Sequence, residues 1–129
     1  MIEAVLCLAL NVYFEARSEP INAQFAVAEV TMNRVNSDAY PDTVCEVVWQ
    51  RKQFSWTHDG KSDDPKDGHA WRVALAVAKS TLSDTKGFTR QLPPNTFHYH
   101  ADYVNPYWVS QLEKVGTIGR HIFYRKETS

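Results

Sequence analysis

Apolar residues near the start of the chain fall on two helical stripes, Val5, Leu8, Ala9 and Val12 on one and Leu6, Leu10 and Tyr13 on the other. This pattern predicts a helix over 2–17 that is apolar on most sides and therefore central. Pro20 biases Glu19 away from helical geometry, so the chain turns over 18–21 and a second helix runs over 22–35, with Ala23, Ala26, Val27 and Val30 as its core face. A short helix at 42–49 leads into Gln53-Phe-Ser-Trp-Thr57, which suits a strand or extended loop, and the polar run from His58 to Asp64 reads as a loop. Asp64 as cap, Pro65 at the first helical position and Asp67 near the positive end open the next helix. Its buried stripe is Trp71, Ala74, Leu75, Ala78 and Leu82, and Lys86-Gly87 ends it. A Pro93-Pro94-Asn95 turn precedes Thr96 to His100, then a short helix opened by Asn105-Pro106, then strands at Val115 to Ile118 and His121 to Arg125. Helices first and a small β element late give an α+β class.

Length and composition narrow the picture. The 129 residues read as one domain, 1–129, and 43% hydrophobic content is enough to bury a core. Fourteen basic against fifteen acidic residues give a net charge of -1, which supplies no long-range pull toward nucleic acid or an anionic membrane. Ala4 to Phe14 is interrupted only by Asn11, yet Glu3 is the only charge before that run and the run is too short to span a bilayer. It reads as a core helix, neither signal peptide nor membrane anchor, in a protein made in the cytoplasm. Cys7 and Cys45 match no zinc pattern and read as two buried thiols in preference to a bridge.

Glu15 is the position where chemistry first intrudes. It shares a helix face with Leu8 and Val12, so a carboxyl projects from a mostly apolar stripe near the end of the central helix. Desolvation there favours the neutral acid and raises its pKa, as a general acid working near neutral pH requires. The structural alternative is a helix-terminal carboxylate at the surface, or one paired with Arg17 or Arg34.

Five ordered segments resemble the SleB-like cell-wall hydrolase family, which includes spore-cortex-lytic enzymes and phage endolysin-like proteins. They are Asn11-Val-Tyr-Phe-Glu-Ala-Arg-Ser-Glu19, Ala26-Val-Ala-Glu-Val-Thr-Met-Asn-Arg-Val35, Tyr40-Pro-Asp-Thr-Val-Cys-Glu-Val-Val-Trp-Gln50, Gln53-Phe-Ser-Trp56 and Thr96-Phe-His-Tyr-His-Ala101. The similarity runs from about Leu6 to Arg125. It implies a lysozyme-like or lytic-transglycosylase-like α+β fold acting on peptidoglycan, with the Glu of the Tyr-x-Glu-Ala-Arg segment, Glu15 here, as catalytic acid. Exported members often carry a signal and a separate wall-binding module, neither of which is seen here. A phage lysis protein or an isolated bacterial catalytic domain fits that context.

Saccharide chemistry gives the aromatic residues a role, because sugar rings pack apolar C–H faces on indole and phenol planes. Trp49, Trp56, Tyr99, Tyr107 and Trp108 are candidates, with Trp49 and Trp108 better read as core. Trp56, between Ser55 and Thr57, suits a stacking platform in a glycan cleft. Gln24 and Ser55 are candidates to orient substrate or water, and His98, Tyr99 and His100 to line the groove. One rival is a zinc-dependent amidase using His98, His100 and Asp102, with His58, Asp59 and His69 as further donors. Another is a non-catalytic peptidoglycan-binding module, for which a buried Glu15 would be an unexplained cost.

The reading that follows is a monomer without cofactor or metal that cuts glycan strands between N-acetylmuramic acid and N-acetylglucosamine. A hydrolytic muramidase usually needs two carboxyl groups, roughly 5–5.5 Å apart for retention or 6.5–9.5 Å for inversion. Glu19 is adjacent but beyond the turn, and Asp59, Asp63 and Asp64 lie in a polar loop. A lytic transglycosylase can use one carboxyl group, which makes 1,6-anhydromuramic acid ends the expected product.

Overall fold

Both apolar stripes of the first segment are used, because α1 (Ile2–Ala16) packs against three other helices. In the computed structural model, which describes residues 2–50 and 65–126, these are α2 (Ile21–Val35), α3 (Val44–Val48) and α4 (Gly68–Ser83). Leu8, Ala9, Val12 and Tyr13 from α1 meet Ala28 of α2, Val44 and Val48 of α3, and Ala74, Val77 and Ala78 of α4 in one buried cluster. After the helices come β1 (Thr96–Ala101), a turn of 3-10 helix at Tyr107–Gln111, β2 (Glu113–Ile118) and β3 (His121–Arg125). The sheet is antiparallel in the order β1-β3-β2, with Tyr99 opposite Phe123 and Ala101 opposite His121. A second cluster, Val27 and Val30 of α2 with Leu92 and Phe123, joins sheet to helices, and Tyr99 packs on both clusters.

The α+β class and the order of elements match the sequence expectation, and four local expectations are corrected. Cys7 of α1 and Cys45 of α3 form a disulfide across a Cα separation of 5.3 Å. Thirty-eight residues apart in sequence, they are neighbours because α3 packs on α1, so they are not two buried thiols. The cap of α4 is Asp67, whose side chain accepts the Ala70 amide at 3.1 Å. Tyr13 of α1 accepts the Lys66 and Asp67 amides at 3.1 and 2.9 Å, and this tertiary tie holds Pro65 outside the helix. The same helix ends at Ser83 with Asp84 as cap, whose carboxylate then collects the amides of Phe88 and Thr89. Trp49, read as core, is 43% exposed, since it stands at the end of α3 beyond its buried face.

The candidate segment Gln53–Thr57, with Ser55 and Trp56, and the loop from His58 to Asp64 lie outside the described residues.

Candidate active site

One helical turn before Glu15, on the same face, α1 buries Asn11 completely. Thr31 of α2 donates to Asn11 Oδ1 at 2.8 Å, and the Asn11 amide lies beside the Tyr99 hydroxyl. Tyr99 in turn donates to Glu15 Oε1 at 2.9 Å. A buried polar line thus runs from α2 through α1 to the inner face of β1 and ends on the half-buried Glu15 carboxyl. Three of the five segments that resemble the family supply this line, and Thr31 and Asn11 join Glu15 and Tyr99 only in the folded chain. Asn11 was visible only as the one polar break in an apolar run.

Burial pushes the Glu15 carboxyl above the usual carboxylate range, opposed by the Tyr99 hydrogen bond and the Arg34 charge. Tyr99 is raised well above an ordinary phenol, chiefly by burial and then by the neighbouring Glu15 charge, so it stays a neutral donor. Arg34 is almost wholly buried and donates from Nε and Nη2 to the Phe97 carbonyl at 2.8 and 2.5 Å. Its neighbour Asn33 donates to the Thr96 carbonyl at 3.0 Å and accepts from Arg90 at the same distance. These two side chains at the end of α2 seat β1, and with it Tyr99, against Glu15. Arg17 lies over the Tyr13 ring at 5.0 Å.

Glu15 opens into a cleft whose walls are Phe14 and Glu15 of α1, Tyr99 and His100 of β1, and the segment from Tyr103 to Pro106, with Trp108 and His121 beside it. Tyr103 of the lining is 80% exposed, whereas Tyr107, 87% exposed, is not part of the lining. Among the described residues lining this cleft, Glu15 is the only one with a carboxyl group.

The sequence candidates divide. Glu15, Tyr99 and His100 meet at the cleft, but His100 has both ring nitrogens engaged, Nδ1 with the Ala101 carbonyl at 2.7 Å and Nε2 with the Tyr124 hydroxyl at 2.9 Å. His98 stands off the cleft wall with its ring against Trp108 and its Nδ1 buried. Alternation along β1 explains this: His98 and His100 share the face of Tyr124 and Trp108, while Tyr99 points the other way. Gln24 is buried away from the lining and donates to the Glu19 carbonyl at 3.1 Å. Of the zinc donors, His58 and Asp59 lie outside the described residues, while His100 is engaged as described and Asp102 pairs with Arg120 at 3.5 Å. Among the described residues no three His, Cys, Asp or Glu side chains gather to hold a metal. The residue that sequence reasoning passed over is His121, which lines the cleft with its ring edge-on to Tyr99 at 5.5 Å.

Fold and cleft define a domain of the α+β class with one carboxyl group of the described cleft wall presented at the junction of helices and sheet. Residues 18–124 match the family described as cell wall hydrolase, and the chain belongs to that family. It is 33% identical to the spore cortex-lytic enzyme of Halalkalibacterium halodurans over 90% of this chain and 33% of that protein. The spore cortex-lytic enzyme of Oceanobacillus iheyensis is 30% identical over 90% of this chain and 39% of its own length. The chain thus spans well under half the length of these curated relatives. In structure it is similar to the catalytic domain of the germination-specific lytic transglycosylase SleB from Bacillus anthracis, with a TM-score of 0.71 and 26% identity over 97% of this chain and 96% of that one. The SleB catalytic domain of Bacillus cereus gives 0.65 and 27% over 95% and 91%. The family match begins three residues after Glu15, whereas the structural matches take in nearly the whole chain.

Proposed function

We propose that this chain cleaves peptidoglycan glycan strands between N-acetylmuramic acid and N-acetylglucosamine as a lytic transglycosylase, with Glu15 as its acid and then its base. The observation that carries this reading is the single carboxyl of the described cleft wall, raised by burial and oriented by Tyr99. Likeness to the SleB catalytic domains supports it. Protonated Glu15 gives its proton to the glycosidic oxygen as the bond to the muramic acid C1 breaks. The resulting carboxylate takes the proton of the C6 hydroxyl as that oxygen attacks C1 and closes the 1,6-anhydro ring, so the proton count balances and no water is consumed. The intramolecular nucleophile removes the need for a second carboxyl to activate water. Tyr99 stays protonated throughout and holds the carboxyl in one orientation.

Mass spectrometry of fragments released from purified sacculi tests this directly. Anhydromuramic ends, lighter than reducing ends by one water, are expected. Reducing ends that take up oxygen from labelled water would instead make the enzyme a muramidase, with Asp59 the first candidate for its second carboxyl.

A further inference from the structure

The mechanism leaves a buried carboxylate and a buried imidazole unused, and they touch. Glu19, just after α1, and His121, the first residue of β3, are each less than one-tenth exposed at the side chain and meet at 3.3 Å between Oε1 and Nδ1. The same oxygen accepts the Arg120 amide. Gly119 in the β2–β3 turn has φ +60°, and a Cβ there would stand 2.6 Å from Glu19 Oε1 and 2.9 Å from the Ala23 Cβ. The turn is therefore shaped to receive this carboxylate, and only glycine leaves it room. Gln24 fixes the other end of the residue by donating to the Glu19 carbonyl.

A carboxylate only accepts hydrogen bonds, so Nδ1 of His121 carries the proton and the ring is held in one orientation. His121 lines the cleft beside Glu15 and Tyr99. With Nδ1 committed to Glu19, Nε2 is the nitrogen left to the cleft. We propose that His121 is a saccharide-binding residue of this cleft, forming a hydrogen bond at Nε2 with a sugar hydroxyl or acetamido group, with Glu19 as its positioning residue. This rests on the glycan reading above. It also gives Gln24 a place in the site, holding Glu19 in register at one remove from the substrate.

The test uses Glu15→Gln protein, which does not consume the probe, titrated with purified uncrosslinked glycan strands of alternating N-acetylglucosamine and N-acetylmuramic acid. The nitrogen resonance of His121 Nε2 should move on saturation while Nδ1 keeps its proton. His121→Phe in that background should weaken binding about tenfold. In otherwise wild-type enzyme it should raise KM by a similar factor and leave kcat within about threefold. Glu19→Gln should weaken binding when His121 is present and add nothing when it is Phe, because its effect passes through the imidazole. An unmoved Nε2 resonance at saturation, which needs no change at His121, overturns the proposal, as do unaltered binding by His121→Phe and independent effects of the two substitutions. If the Glu15→Gln protein with His121 intact binds no glycan, the glycan reading falls and this inference with it. Binding without involvement of His121 removes this inference alone.

Discussion

At Glu15, folding and chemistry pull in opposite directions. Its carboxyl is held above the usual range by burial, so the folded chain keeps the proton to higher pH than the unfolded chain does. Between those two pKa values the folded state binds more protons, and stability falls as pH rises through that window. Glu15→Gln removes the group that must ionise, so at pH 7 it should melt no lower than wild type while losing at least about a hundredfold in glycan cleavage. Calorimetry beside a sacculus assay checks both halves. A cooperative melt displaced well downward would make Glu15 a structural residue. Tyr99→Phe removes a hydrogen bond that lowers the Glu15 pKa, so the alkaline limb of kcat/KM should move to higher pH even as the rate drops. Glu15 was legible in the sequence because a carboxyl on an apolar stripe conflicts with its own surroundings. Its partner was named as a groove residue, but the hydrogen bond spans 84 positions and no local pattern encodes it. The Glu19–His121 pair, 102 positions apart, was less accessible still.

The elements show where local rules hold and where tertiary contacts replace them. Helices α1 and α2 follow apolar periodicity and a proline, both local signals, and they appear where the pattern puts them. The start of α4 does not, because Tyr13 seizes two amides ahead of it and makes Asp67 the effective cap. Asp67→Ala should cost about 1 kcal/mol in urea unfolding, as losses of helix caps do. The seating of β1 depends on the polar end of α2, where Asn33 bonds the Thr96 carbonyl, the Pro93 carbonyl and Arg90. Asn33→Ala leaves buried partners unmatched and should destabilise the fold by about 2–3 kcal/mol. Activity should decline beyond what the unfolded fraction explains, because β1 delivers Tyr99 to Glu15.

Across the whole molecule, His98 works against Glu15 in the dependence of stability on pH. Burial and the Arg34 charge push His98 down to about 4 from 6.5. Between those values the unfolded chain binds the proton more readily, so the associated stability is present above about 6.5 and is lost as pH falls toward 4. Relative to its own melt at pH 7, His98→Gln should therefore lose less stability than wild type between pH 7 and 4, which paired thermal melts check. The disulfide is the other global constraint, and it ties durability to place. A 38-residue closed loop between α1 and α3 corresponds to about 4 kcal/mol in the chain-entropy model, close to a thousandfold in the ratio of folded to unfolded chains. Thiols stay reduced in the cytosol and pair in oxidising surroundings beyond it. The same polypeptide is therefore easy prey for proteases while its thiols are open and resistant once they close, a difference that pulse proteolysis with and without reductant should read directly. How long the folded chain lasts is thus set by the redox state of its surroundings as much as by its own packing.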